Sequence, residues 1–262
     1  MCLIALAWRR APGYRLIVAA NRDEYHARPT ASAAFWPPAR AVFGGRDLQD
    51  GGSWMAVTRD ARFAALTNFR DAQPPRVGAR SRGHLVADYL QGSQAAGEYA
   101  AAVAAAGAQY NGFNLLTSDT ASLWYAGSHG SPAEALAPGF HALSNARLNT
   151  PWPKALGLRA ALRSAVDAAS SEDELVERLL NALADTGVPA DPELPGTGVG
   201  IERERLLAPR MIVAPVYGTR SGSVLLLHND GAIRFVEQSF DADGRPRGRV
   251  NQLIAPSSRL PA

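Results

Sequence analysis

The chain has 262 residues, 47% of them hydrophobic, which is enough to bury one sizeable core without disulfides or a structural metal, and a single domain over 1–262 is expected. The net charge of +3 rests almost wholly on arginine, Lys154 being the only lysine; the arginines are scattered among Asp and Glu, which argues against a nucleic-acid-binding face. One cysteine, Cys2, excludes an intramolecular disulfide and a cysteine-based zinc site. No apolar run approaches the roughly 18 residues of a membrane span. The start carries no basic residue ahead of its apolar run, unlike a signal peptide, so a cytoplasmic protein is expected.

In chain order, Leu3 to Trp8 and Tyr14 to Ala20 are apolar runs around the turn-prone Arg9 to Gly13, which predicts a β-hairpin. Gly44-Gly45 and Gly51-Gly52 read as loop before a second hairpin, Ser53 to Thr58 and Arg62 to Thr67. Helices are predicted at Gly83 to Leu90 and at the alanine-rich Ser93 to Ala106. Strand-like stretches follow at Phe113 to Thr117, Ser122 to Ala126 and Phe140 to Ser144. Two more helices are read over Lys154 to Ala168 and Ser171 to Ala184, the second opened by the capping-box spacing of Ser171 and Glu174. Asp185 to Pro209 is rich in Gly and Pro and predicts a long surface loop, a candidate lid. Strands at Met211 to Tyr217, Ser223 to His228 and Ala232 to Gln238 close the chain, the last two joined by Asn229-Asp230-Gly231; the tail after Phe240 reads as peripheral. Strand pairs alternating with helix pairs predict an α+β fold, a four-layer αββα sandwich of two antiparallel sheets.

The chemistry centres on the N-terminus. A free cysteine is ordinarily a small apolar core residue. If Met1 is excised, however, Cys2 carries both a thiol of pKa about 8.5 and an α-amine of pKa about 7.7 to 8.0, a nucleophile and a base on one residue. A hairpin turning about Ala11 and Pro12 sets Asn21, give or take one residue, opposite Cys2. An apolar strand becomes abruptly polar there, at Asn21-Arg22-Asp23-Glu24. Period two puts Asn21 and Asp23 on one face and Arg22 on the other, so only part of the quartet reaches the thiol while the strand stays regular.

That quartet after Met1-Cys2 resembles the signature of the NRDE protein family, also called the transport and Golgi organisation protein two family. Gly51-Gly52-Ser53-Trp54, Thr67-Asn68-Phe69-Arg70, Ser81-Arg82-Gly83, Tyr110 to Leu115, Leu143-Ser144-Asn145, Thr150 to Lys154 and Tyr217 to Ser221 agree with it, so the resemblance spans nearly the whole chain. It implies an N-terminal nucleophile (Ntn) hydrolase-like fold. Similarity to the choloylglycine and penicillin V acylase group implies catalytic roles for Cys2, Arg22, Asp23, Asn145 and Arg220, with Asn21, Asn68 and Trp54 binding substrate. Arg22 and Asp23 are adjacent here, whereas the acylase pattern separates them. In these roles Asp23 orients the α-ammonium, Arg22 or Arg220 favours thiolate, and Asn68 or Asn145 donates to an oxyanion. Asn145, ahead of Pro151, equally fits a local Asx turn.

Two functions follow. One is a cysteine Ntn amidohydrolase acting on a non-peptide amide of a small or acylated molecule, with no cofactor required. The other, implied by the family's links to haem handling and to lipid and acyl-CoA homeostasis, is a non-catalytic carrier on the same fold, with haem as a bound ligand. His26, His84, His129, His141 and His228 show no ligand spacing, and Cys-x-x-Cys-His is absent from the sequence. A purely structural adaptor finds no coiled coil or low-complexity tract to rest on.

Overall fold

A computed structural model describes residues 2–38 and 41–256 of the chain. The elements are β1 (Cys2–Ala11), β2 (Tyr14–Tyr25), β3 (Thr30–Phe35), β4 (Val42–Asp47), β5 (Met55–Thr58), β6 (Phe63–Asn68), α1 (Gly83–Gln91), α2 (Ala96–Ala105), β7 (Phe113–Ser118), β8 (Leu123–Gly127), β9 (Glu134–Ala135), β10 (Gly139–Leu143), α3 (Pro153–Ala168), α4 (Glu172–Leu183), α5 (Ile201–Leu206), β11 (Tyr217–His228), β12 (Ile233–Phe240) and β13 (Pro246–Ile254). One sheet runs β10-β1-β2-β11-β12-β13 and the other β3-β4-β5-β6-β7-β8-β9, with every neighbouring pair antiparallel.

The central strands read as unbroken apolar runs because both of their faces are covered. In β1, Ile4, Leu6 and Trp8 enter the core between the sheets, while Leu3, Ala5 and Ala7 pack beneath α3 and α4. β11 repeats the division, with Leu225 and Leu227 inward and Val224 and Leu226 toward the helices. Across the sandwich, β5 and β6 send Met55, Val57, Phe63 and Ala65 inward and Ala56, Ala64 and Leu66 against α1 and α2. Period-two alternation thus sorts one apolar run into two cores. The layers are αββα, an α+β sandwich of the expected class.

Ser171 caps α4, its Oγ accepting from Glu174 N at 3.2 Å, and Glu174 Oε2 in turn accepts from Ser170 N. Several elements differ from the sequence reading. Gly44 and Gly45 lie within β4, not in a loop; a Cβ on Gly45 would sit 2.2 Å from Trp54 Cη2, so the close approach of the Trp54 ring requires glycine there. β3, β4 and β13 were not anticipated: β3 and β4 are short, and β13 is a largely exposed polar edge strand. Met211 to Val216 is no strand. Met211 and Ile212 are buried, but the Met211 N–H goes to Asp185 O and the Ile212 N–H to the Thr219 hydroxyl. The Asp185 to Pro209 segment contains α5 and is tied down by buried contacts.

Candidate active site

Strand register decides what surrounds the thiol. Cys2 pairs with Arg22 and Leu3 with Asn21, one step from the centre of the predicted register. The reversal lies at Pro12-Gly13, where Gly13 has φ 83°, and a bulge between Trp8 and Ala11 removes one position from the ladder. Arg22 therefore shares the face of Cys2, between the sheets. On β1's other side, Ile4 pairs with Leu143 of β10, and the same register carried two residues further sets Asn145 beside Cys2.

Arg22 is 4% exposed; its guanidinium lies 4.2 Å from the Trp54 ring of the opposite sheet and donates to Thr30 Oγ1 at 3.1 Å. Asn145, fully buried, donates from Nδ2 to Asn68 O at 3.0 Å, and its own carbonyl accepts from Arg70 N. Thr67 Oγ1 donates to Ser144 O, and Asn114 Nδ2 to Thr67 Oγ1 and Ala146 O, which fixes the end of β10 against the second sheet. Cys2, Arg22, Asn145 and Trp54 thus meet at one end of the inter-sheet layer, whereas Asn68 contributes only its backbone carbonyl, its side chain falling in register on the face of β6 that carries Ala64 and Leu66.

Asp23 belongs to the opposite, helix-covered face. Its Oδ1 accepts from Thr219 Oγ1 of β11 at 2.6 Å, and its backbone carbonyl accepts from the Tyr217 hydroxyl at 3.1 Å. Asn21, on that face too, is committed elsewhere: Nδ2 donates to Leu183 O at 2.8 Å and Arg210 O at 2.7 Å, tying β2 to the end of α4. Arg220 is the extra residue of a bulge between Thr219 and Ser221, and its Nη1 donates to Tyr25 O at 2.9 Å and Arg28 O at 3.1 Å. It braces the turn after β2, and the cation acting directly on the thiol is Arg22.

Burial pushes the Cys2 thiol up; Arg22 and the Asp23 backbone N–H oppose this without cancelling it. Burial likewise pushes the Asp23 carboxyl up, against Lys154, Thr219 and Arg22. The Tyr217 phenol is held well above its ordinary range by burial first, then by Asp23 and Cys2.

The sequence reading gave no individual role to four groups that crowd this end of the molecule. Arg82, at the start of α1, donates to Gly112 O at 3.0 Å and feels Glu24 and Cys2. Lys154, 6% exposed in the first turn of α3, donates from Nζ to Leu207 O at 2.8 Å. Arg70 pairs with Glu204 of α5 at 2.5 Å, both side chains buried, and its guanidinium lies 4.7 Å from the Trp152 ring. Trp152, Lys154, Pro189, Pro195 and Leu207 line a small crevice beside this pair. The signal available in sequence was Lys154, the one lysine of the chain.

The histidines lie apart from one another. His26, His84 and His141 donate to the carbonyls of Ala214, Asp50 and Ala137, His129 bonds Tyr125, and His228 pairs with Glu172. Among the described residues no group of three or more His, Cys, Asp or Glu is placed to hold a metal ion. Nor is any described helix long and apolar enough to cross a membrane.

Two antiparallel sheets between helical layers, with a cysteine next to the N-terminus on an interior strand, have the layered arrangement of the Ntn-hydrolase-like fold. A solved Caenorhabditis elegans N-acylethanolamine-hydrolyzing acid amidase ortholog shares this fold, with a TM-score of 0.54 and 11% identity over 86% of this chain and 92% of that one. The chain belongs to the Transport and Golgi organisation 2 family, whose sequence profile matches residues 1–242. The Bos taurus Transport and Golgi organization protein 2 homolog is 36% identical over 258 residues, 92% of this chain and 93% of the relative. The Homo sapiens homolog is 32% identical over 262 residues, with the same coverage of both chains.

Proposed function

We propose that the protein is a cysteine Ntn amidohydrolase that cleaves a non-peptide amide of a small or acylated molecule in the cytoplasm. The observation that carries this is the position of Cys2: second in the chain, at the head of a central strand, with Arg22 in register beside it. Met1 lies outside the described residues, and its removal is part of the proposal. Because burial keeps the thiol protonated at rest, the reaction needs a base in reach, which the freed α-amine supplies without a histidine.

The Cys2 thiol attacks the amide carbonyl carbon and its proton passes to the α-amine. The tetrahedral oxyanion takes a hydrogen bond from the second Nδ2 hydrogen of Asn145, the first being held by Asn68 O. Cleavage of the C–N bond expels the amine, which takes the proton from the α-ammonium and leaves an acyl thioester on Cys2. Water, giving its proton to the same α-amine, then releases a carboxylic acid and restores the thiol. Asp23, held by Thr219, orients the α-ammonium. The shared fold supports the reaction class, although one fold hosts many chemistries.

Intact mass before and after exposure to an acylating amide or lactone probe tests the reading. Loss of Met1 with one acyl group added to the wild type and none to Cys2→Ala is the expected result. Retained Met1, or labelling that survives Cys2→Ala, overturns it. Haem or acyl-CoA binding that survives Cys2→Ala without turnover would instead favour a carrier.

A further inference from the structure

We propose that Glu204 and Arg70 are positioning residues that couple the segment joining α4 to β11 to the oxyanion donor Asn145, so that Cys2 is acylated efficiently while that segment is fastened. The inference rests on the proposed Ntn chemistry, in which Asn145 holds the oxyanion.

A continuous run of contacts leads from that segment to the site. Glu204 Oε1 accepts from Thr197 N at 2.9 Å, and Oε2 pairs with Arg70 Nη1 at 2.5 Å, both side chains of the pair being buried. The Arg70 guanidinium lies 4.7 Å from the ring of Trp152, which stands just ahead of α3. The Arg70 backbone N–H donates to Asn145 O at 2.6 Å. Two residues back, Asn68 O accepts from Asn145 Nδ2 at 3.0 Å. Residues 68–70 thus grip Asn145 by its main chain and its side chain together.

Glu204 decides where that grip sits. Arg70 is the last buried residue before the exposed stretch Asp71 to Gly78, so its side chain anchors this end of the loop. Its Nε and Nη2 are buried and find no acceptor among the described residues, which leaves Glu204 as the charge partner that keeps the guanidinium inside. Without the carboxylate, burying that cation is costly and it turns toward water, drawing its own main chain and Asn68 with it. A group displaced by about 1 Å from its working geometry loses on the order of 10²-fold in rate. For Asn145 the loss falls on acylation, where charge develops on the attacked carbonyl oxygen. Alkylation of the thiol forms no oxyanion and draws nothing from Asn145.

The test compares two reactions of Cys2 in protein whose mass shows Cys2 as its first residue: acylation by the lactone probe, which passes through an oxyanion, and alkylation by iodoacetamide, which does not. Both rates are read by intact mass for wild type, Glu204→Gln, Asn145→Ala and the combination of the two. Glu204→Gln is expected to slow acylation about tenfold or more while alkylation stays within about twofold of wild type. Asn145→Ala is expected to slow acylation about 10²- to 10³-fold, and adding Glu204→Gln to it should cost nothing further, because both act through one donor. Should Glu204→Gln be poorly folded, Arg70→Met with Glu204→Leu, which strands no charge, takes its place with the same selective loss expected. Acylation as fast as wild type in the Glu204 or Asn145 variants, a parallel fall in both reactions, or a loss that adds to that of Asn145→Ala overturns the coupling and leaves Cys2 as the nucleophile. Retained Met1, or a wild-type Cys2 inert to the lactone probe, overturns the hydrolase reading as well.

Discussion

At Cys2 and Glu237 burial and ionisation oppose each other, with different outcomes. At Cys2 the proposed mechanism uses the conflict, a buried protonated thiol giving its proton to the α-amine of the same residue. Glu237 of β12 is 2% exposed and faces β3, where its Oε1 accepts from Ala33 N at 2.7 Å. Burial pushes its carboxyl above the ordinary value, against the Ala33 N–H and Arg22. The folded state therefore binds a proton more tightly than the unfolded chain. The stabilisation from this group is complete below the unfolded value of about 4.3 and is lost as pH rises through the raised folded value. Glu237→Gln keeps an acceptor for Ala33 and carries no charge, so its Tm relative to wild type should increase between pH 4 and pH 8. A wild type that gains on the Gln variant as pH rises would contradict this assignment.

At the scale of elements, the segment joining α4 to β11 shows how an irregular chain is held in place. Its composition predicts a surface loop, yet α5 turns Glu204 inward to Arg70, Thr197 closes on the same carboxylate, and Leu207 O receives Lys154. Removing one partner of a buried pair strands the other, at a cost of about 3–5 kcal/mol, whereas removing both for apolar side chains of similar size is far milder. Urea unfolding should thus show Glu204→Leu strongly destabilised and Arg70→Met with Glu204→Leu closer to wild type. Equal losses in the single and double variants would show that the pair acts by shape alone. A candidate lid fastened this way differs from a free loop: its opening must break a buried ion pair.

For the whole molecule, stability rests on the layer between the sheets. Phe235, 1% exposed, meets Phe43 of the other sheet edge-on at a centroid distance of 5.3 Å. Phe235→Ala should cost about 3–5 kcal/mol of unfolding free energy in urea, because two rigid sheets collapse little into the space left behind. A loss under ~1 kcal/mol would mean that the sheets close over the cavity. The same layer ends in the candidate site, where Arg22 stacks on Trp54 across the gap.

By itself the sequence determined the elements whose apolar pattern is local: the hairpin of β1 and β2, the pairs α1 with α2 and α3 with α4, and hence the layered class. The abrupt polarity at Asn21 to Glu24 marked the end of β2 where the site lies. It could not set the register, since the turn falls at Pro12-Gly13, one residue beyond Ala11-Pro12, and a bulge near Arg9 takes back one position, leaving Arg22 opposite Cys2. Edge strand β13 escaped notice because an exposed edge needs no apolar period, and Met211-Ile212 misled because burial can be met with side-chain and loop hydrogen bonds as well as by a ladder. Only the tertiary structure brought Thr219 to Asp23, Glu204 to Arg70 and Leu207 to Lys154, and sent Asn21 and Arg220 to brace backbone instead. Local pattern fixes which face of a strand is apolar, but which charges share a low-dielectric space depends on chain segments far apart in sequence.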